Sequence, residues 1–212
     1  ALKDHTYSLI FLGFFSCGFQ LGFITAHFPA FISEVCGSIK PESFIRILGV
    51  SDANGLGAVS LAIIGAFNII GTLTAGALGD KYHRKYLLAL VYTGRTFAAT
   101  LFILLPVTPS SVVVFSAIMG SLWLATVPLT SGLIAYRYGI KYMGTLYGFV
   151  FLSHQIGSFF GVWLGGELHD QFGNYNLVWW VGVGVGAFSA IIHLPVSEIP
   201  MATKEEKLLT SN

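Results

Sequence analysis

Apolar residues run almost without interruption through six stretches of this chain, about 8–32, 57–79, 86–106, 111–136, 143–166 and 176–196. Each is close to the roughly 20 residues that a helix needs to cross the hydrocarbon core of a bilayer. The runs are continuous, whereas the strands of a transmembrane barrel alternate apolar and polar positions over about 10 residues. The pattern therefore predicts an all-α membrane protein: a six-helix transmembrane domain over 1–198 and a short tail at 199–212. Composition agrees. Hydrophobic residues make up 54% of the chain, charged residues 10%, and mean hydropathy is +0.74, where an ordinary soluble domain is about a quarter charged. The first expected partner is the lipid bilayer. A net charge of +1 says nothing about nucleic acid and no basic run is long enough to suggest it, so no nucleic-acid partner is expected.

The polar interruptions orient the helices. When the connections are assigned alternately to two sides, one side receives Lys3, Lys81, Arg84, Lys85, Arg137, Lys141, Lys204 and Lys207, and the other only Lys40 and Arg46. By the positive-inside rule the basic side is cytoplasmic, so both termini and the tail are expected there. Cys17 lies inside the first span and Cys36 beyond it. They are unlike disulfide partners and read as small packing residues.

The stretch "GALGDKYHRK" between spans two and three carries more than topology. Asn68, Thr72, Gly76 and Asp80 recur at helical spacing and form one ridge, with Gly71, Ala75 and Gly79 as a second ridge of small residues beside it. Small ridges allow close helix contact in lipid. Asp80 is expected at that contact, accepting from the amides of a neighbouring helix N-terminus as a latch.

Gly76, Asp80, Lys81, Arg84 and Lys85 resemble the loop signature of the major facilitator superfamily, with His83 standing where the family usually has glycine. The stretches "VPLTSGLIA", "GTLYGFVFLSHQIGSFFGVWLGG" and "DQFGNY" are similar to later regions of a C-terminal half, in the monocarboxylate-transporter-like and oxalate/formate-antiporter-like bacterial branch. The resemblance implies two inverted three-helix repeats, one half of a major facilitator fold, in a bacterial inner membrane. It implies a gate role for the signature residues. It also implies a small-molecule substrate, a monocarboxylate or other organic anion, bound near the midplane against an absent N-terminal six-helix half or a second copy. That branch brings a basic residue on the second or fifth helix, and no Lys or Arg stands in the middle of those spans here. An internal echo supports the repeats: Gly76 and Asp80 close span two as Gly166 and Asp170 close span five.

Polar residues inside spans face a cavity or a partner helix, and they form the candidate set: Gln20, Thr25 and His27 in span one, Asn68 and Thr72 in span two, Trp123, Thr126 and Thr130 around Pro128 in span four, and His154 and Gln155 in span five. His154, about midway along its span, is read either as a carrier of a coupling proton or partner of an anionic substrate, or as a neutral histidine bonded to a neighbouring helix. Arg95, about 14 Å into span three at 1.5 Å per residue, reads as a structural intramembrane cation held by carbonyls or by an acid such as Asp80. The ladder Gly157, Gly161, Gly165 reads as helix packing, and Trp179 and Trp180 as interfacial anchors.

These features predict a secondary transporter, or its C-terminal half, working by alternating access. No glycine-rich, lysine-bearing nucleotide loop is present, so a gradient is the expected energy source. No cofactor, metal site or enzymatic activity is expected. An intramembrane serine hydrolase would need Ser153, His154 or Ser158 in a nucleophile arrangement, but neighbours on a helix diverge by about 100 degrees. A half-size transporter acting as a dimer and a non-transporting scaffold are the alternatives. The opening "ALKDHTYSLI" and the second-half character of the first helix favour a piece of a longer protein.

Overall fold

The computed structural model describes residues 3–36, 39 and 43–201. Seven helices build six bundle positions: α1 (His5–Val35), α2 (Ala53–Gly79), α3 (Arg84–Leu104), α4 (Pro109–Leu122), α5 (Thr126–Tyr138), α6 (Met143–Phe172) and α7 (Asn176–His193). Most of the tail lies outside the described residues. Local chemistry explains several boundaries. Asp52 caps α2 by accepting from the Gly55 N–H at 2.7 Å, and Thr108 and Ser111 form a reciprocal capping box ahead of Pro109 at the start of α4. α6 ends where Gly173 takes the left-handed conformation, φ 70°.

Two of the expected spans differ in detail. α6 runs on to Phe172, and span four is not continuous: it breaks at 123–125 into α4 and α5. Pro128 is the cause. It has no N–H for the carbonyl of Leu124 and its ring crowds that carbonyl, so Leu124 accepts instead from Val127 at 3.0 Å and the ladder is interrupted one turn upstream. α1, α2, α3, α7 and the joined α4–α5 span are each long and apolar enough to cross a membrane. α6 is long enough but less apolar, because it carries Ser153, His154 and Gln155 among its glycines.

The bundle core has two apolar clusters. One gathers Phe23, Phe28, Phe31, Phe102, Phe115 and Trp179; the other gathers Tyr7, Phe14, Leu88, Tyr92, Leu129 and Val150. Trp179 is thus buried rather than interfacial, and Trp180 alone of that pair is exposed. Gln20, Arg95, Thr126 and His154 are buried polar residues of this core, from α1, α3, α5 and α6.

The packing obeys an inverted repeat. α1 lies on α6 as α4 lies on α2, and α3 lies on α7. The registers correspond residue by residue. Gly18 abuts the His154 carbonyl as Gly120 abuts that of Ile64, and Gly161 abuts the Phe19 carbonyl as Gly71 abuts that of Ser121. His154 and Ile64, like Gly161 and Gly71, stand 90 residues apart, and so do Asp170 and Asp80. The echo read from the sequence is therefore the register of the packing. Two triplets with one backbone arrangement in opposite orientations make the fold one half of a major facilitator architecture.

Candidate functional site

Arg95 organises the polar layer. It is fully buried. Its Nε and Nη2 donate to the Leu122 carbonyl at 2.9 and 2.6 Å, Nη2 donates also to the Trp123 carbonyl, and Nη1 reaches Cys17 Sγ at 3.3 Å. The two carbonyls are those that the break in span four leaves without helical partners. Asn68 satisfies the same break from α2, accepting from the Leu124 N–H at 2.9 Å and from Thr72 at 3.2 Å. Of the two partners expected for Arg95, the carbonyls are found, and Asp80 is elsewhere. Trp123 sits half-buried at the break.

Thr126, buried at the start of α5, lies 3.3 Å from Cys17 Sγ through its Oγ1. His154 stands beside this group from α6: Gly18, next to Cys17, packs on its backbone, and Phe14, one turn earlier on α1, lies against its ring. That ring is 9% exposed and lies between Phe14 and Phe151, with centroid distances of 5.2 and 5.5 Å. Neither ring nitrogen has a hydrogen-bond partner, and neither do the buried hydroxyls of Thr130 and Tyr147. Unpartnered polar groups are costly in a bundle core, so each of these is a candidate contact for a polar ligand, with the two His154 nitrogens foremost.

The remaining candidates are dispersed. Gln20 donates to the Gly182 carbonyl at 3.0 Å beside a space of about 10 Å³, too small for a solute. His27 pairs with the Val162 carbonyl at 2.8 Å near the opposite end of the bundle from Asp4, and Tyr175 lies 3.5 Å from its Nδ1. Gln155 faces outward, exposed.

The signature cluster departs from expectation at its acid. Gly71, Ala75 and Gly79 are buried, as a packed ridge requires, but the Asp80 side chain is 81% exposed and, among the described residues, pairs with Arg84 alone, at 3.4 Å. The acid at the start of α3 is Glu198, which accepts from the Lys85 N–H at 2.6 Å and lies 3.3 Å from His83 Nδ1. Glu198 belongs to a strap, 195–200, that crosses this end of the bundle. Arg137 donates to the Ser197 and Ile199 carbonyls at 3.2 and 2.7 Å, and the Ser197 N–H reaches Thr6. Gly76 is half-buried. Lys81, Arg84, Lys85, Tyr136 and Glu198 line a cavity of about 650 Å³ beside the strap.

Arg137 also donates to Asp4 at 2.7 and 2.9 Å, and Tyr138 donates to the same carboxylate at 2.6 Å. Burial alone would raise the Asp4 carboxyl, but the hydrogen bonds from Tyr138 and Arg137 and the charge of Arg137 outweigh it and hold it below the ordinary carboxylate value. A depressed folded-state value stabilises the protein above the unfolded value, about pH 4, and that contribution is lost as pH falls through the folded value. Thermal unfolding followed against pH should show this acid limb, and Asp4→Asn should flatten it; an unchanged limb would mean that Asp4 does not titrate against Arg137.

Sequence reasoning missed Asp4, Cys17, His193 and Glu198. His193, buried, stacks on Tyr92 at 5.0 Å and lies 2.7 Å from the Ser189 carbonyl through Nδ1. Its only signal was a polar residue four after Ser189 in an apolar run.

Two inverted triplets around a polar mid-layer, with a charged hairpin at one end, are the architecture of half a helical membrane transporter. Residues 10–209 match the Major Facilitator Superfamily, and the chain belongs to that family. A relative from Bacillus subtilis (strain 168), described as the uncharacterized MFS-type transporter YcxA, is 29% identical over 203 residues, covering 93% of this chain and 45% of that protein. The chain thus spans less than half the length of the relative it matches. It is an integral membrane protein of a transporter family.

Proposed function

We propose that this chain is the C-terminal half of a secondary active transporter that moves a small organic anion, a monocarboxylate, by alternating access across a bacterial inner membrane, with both termini cytoplasmic. The observation that carries this reading is His154: buried about midway along α6 between the rings of Phe14 and Phe151, with both nitrogens unpartnered. Imidazole is the side chain able to carry a coupling proton or, once charged, to pair with an anion. This chemistry replaces the basic residue absent from spans two and five. The other wall of the cavity comes from an N-terminal six-helix half, in keeping with the 45% coverage of the relative, or from a second copy. Asp80, engaged among the described residues by Arg84, is left to latch that partner at the cytoplasmic gate with Gly76, Lys81, Arg84 and Lys85.

The test uses the two-half protein in proteoliposomes with an internal pH dye and external lactate as the probe. Lactate should drive proton entry, and His154→Gln should lower that rate at least tenfold, about 1.4 kcal/mol in barrier. Equal rates at equal protein content would remove His154 from the mechanism. A folded protein that moves none of a panel of small carboxylates would favour the scaffold reading.

A further inference from the structure

A guanidinium buried in a membrane bundle needs a counter-charge or a full set of acceptors. Arg95 has two carbonyls and one sulfur, and no carboxylate among the described residues contacts it. Around the sulfur stand Arg95 of α3, with the Tyr92 ring 5.4 Å from its guanidinium, and Thr126 of α5, while His154 of α6 packs through its backbone on Gly18, the next residue along α1. Two of these, Arg95 and Thr126, come within 3.3 Å of the sulfur and can both donate to it. Arg95 is permanently charged and can only donate. Sulfur is a weak acceptor as a thiol and a strong one as a thiolate, and the thiolate form is stabilised beside an arginine.

We propose that Cys17 is the counter-charge of Arg95, a thiolate in the resting bundle, and that it exchanges a proton with His154. The bookkeeping closes on charge. With the thiolate, Arg95 and a neutral imidazole, the trio is neutral. One proton taken up from outside makes it singly positive, whether the new bond is S–H on Cys17 or N–H on His154. Transfer between them breaks one of these bonds, forms the other, and leaves the total unchanged. The ion pair stands apart from any transport role; the exchange rests on the proposed proton role of His154 and gives that proton a second resting place, on sulfur. It also ties proton binding to the break in span four, because the guanidinium that feels the sulfur's charge holds the Leu122 and Trp123 carbonyls.

Infrared spectroscopy of the purified chain in bilayers reads the thiols directly, since the S–H stretch stands clear of other protein bands and the chain has only Cys17 and Cys36. At neutral pH the band of the native protein should come from Cys36 alone. Cys36→Ser, which leaves the Arg95 cluster untouched, should abolish it, and Cys17→Ser should leave it unchanged. An S–H band surviving in Cys36→Ser would overturn the ion pair. The exchange is read from isotope-labelled histidine, with the His154 imidazolium signal assigned by its loss in His154→Gln. Removing the thiolate in Cys17→Ser leaves Arg95 unopposed, so that signal should need at least about tenfold more protons to form, a shift of one unit. An identical titration in Cys17→Ser would overturn the exchange. None of these readings depends on lactate transport, so either proposal can fail alone.

Discussion

Replacing Gly161 with leucine should prevent the bundle from assembling, or lower its stability by about 3 kcal/mol or more, beyond the usual range for an overpacked core. The reason lies in how α1 and α6 meet. A side chain on Gly161 would run into the Phe19 carbonyl, one on Gly157 into that of Phe15, and one on Gly18 into that of His154. These are backbone atoms of long helices and cannot swing aside as a flexible side chain would. Every clash must be relieved by separating the two helices over their whole contact, which is the most extensive in the molecule. In lipid that contact has no hydrophobic drive to restore it, and close packing supplies the attraction. Gly184→Ala is the matched control, since no neighbour lies within 4 Å of its added methyl group. Unfolding of both variants in detergent, followed by circular dichroism, would check the difference. Equal stability would mean that α1 and α6 are not in backbone contact.

Arg95→Leu should be nearly as damaging, and in a way that a second substitution repairs. Loss of the guanidinium leaves the Leu122 and Trp123 carbonyls buried without donors, at about 1–3 kcal/mol each. A different cure is available in principle. Pro128→Ala would supply the missing N–H to Leu124 and let α4 run into α5, so that the N–H groups of Thr126 and Val127 could serve the two carbonyls. The double variant should therefore be more stable than the sum of the single changes allows, by at least about 1 kcal/mol in a double-mutant cycle. Strict additivity would show that the break does not depend on Pro128. The repaired bundle should still be inactive if the break is needed for movement, which separates stability from transport.

Much of this was legible beforehand. Six apolar runs gave six bundle positions because lipid leaves the backbone few choices other than helix. The 90-residue spacing of Asp80 and Asp170 was already the register of the inverted repeat, since glycine and acid close equivalent helices. Asp80 was expected at the amides of a neighbouring helix, and among the described residues it meets Arg84, while Glu198 takes the Lys85 amide. The charge and position of Asp80 suited the amides at the start of α3, but so did those of Glu198, and proximity in the chain says nothing about which acid arrives first. The break in span four was hinted at by Pro128, yet prolines are tolerated inside membrane helices, as Pro29 is in α1. Cys17 looked like filler because a thiol announces its chemistry only through neighbours, and its neighbours come from three other helices.

The strap at 195–200 makes the two ends of the bundle mechanically unequal. On the strapped end, one short segment is bonded to the start of α1, the start of α3 and the end of α5, and it continues directly from α7. Four of the six bundle positions are thus yoked at that end by hydrogen bonds of a single peptide. At the far end the described ties are pairwise, such as His169 to Glu34 at 2.8 Å between α6 and α1. A force entering through the tail would be shared among four helices at once, whereas a push on the far side would be borne by one pair at a time. Under any tilting load the strapped end should therefore behave as the rigid heel and the other as the part that gives.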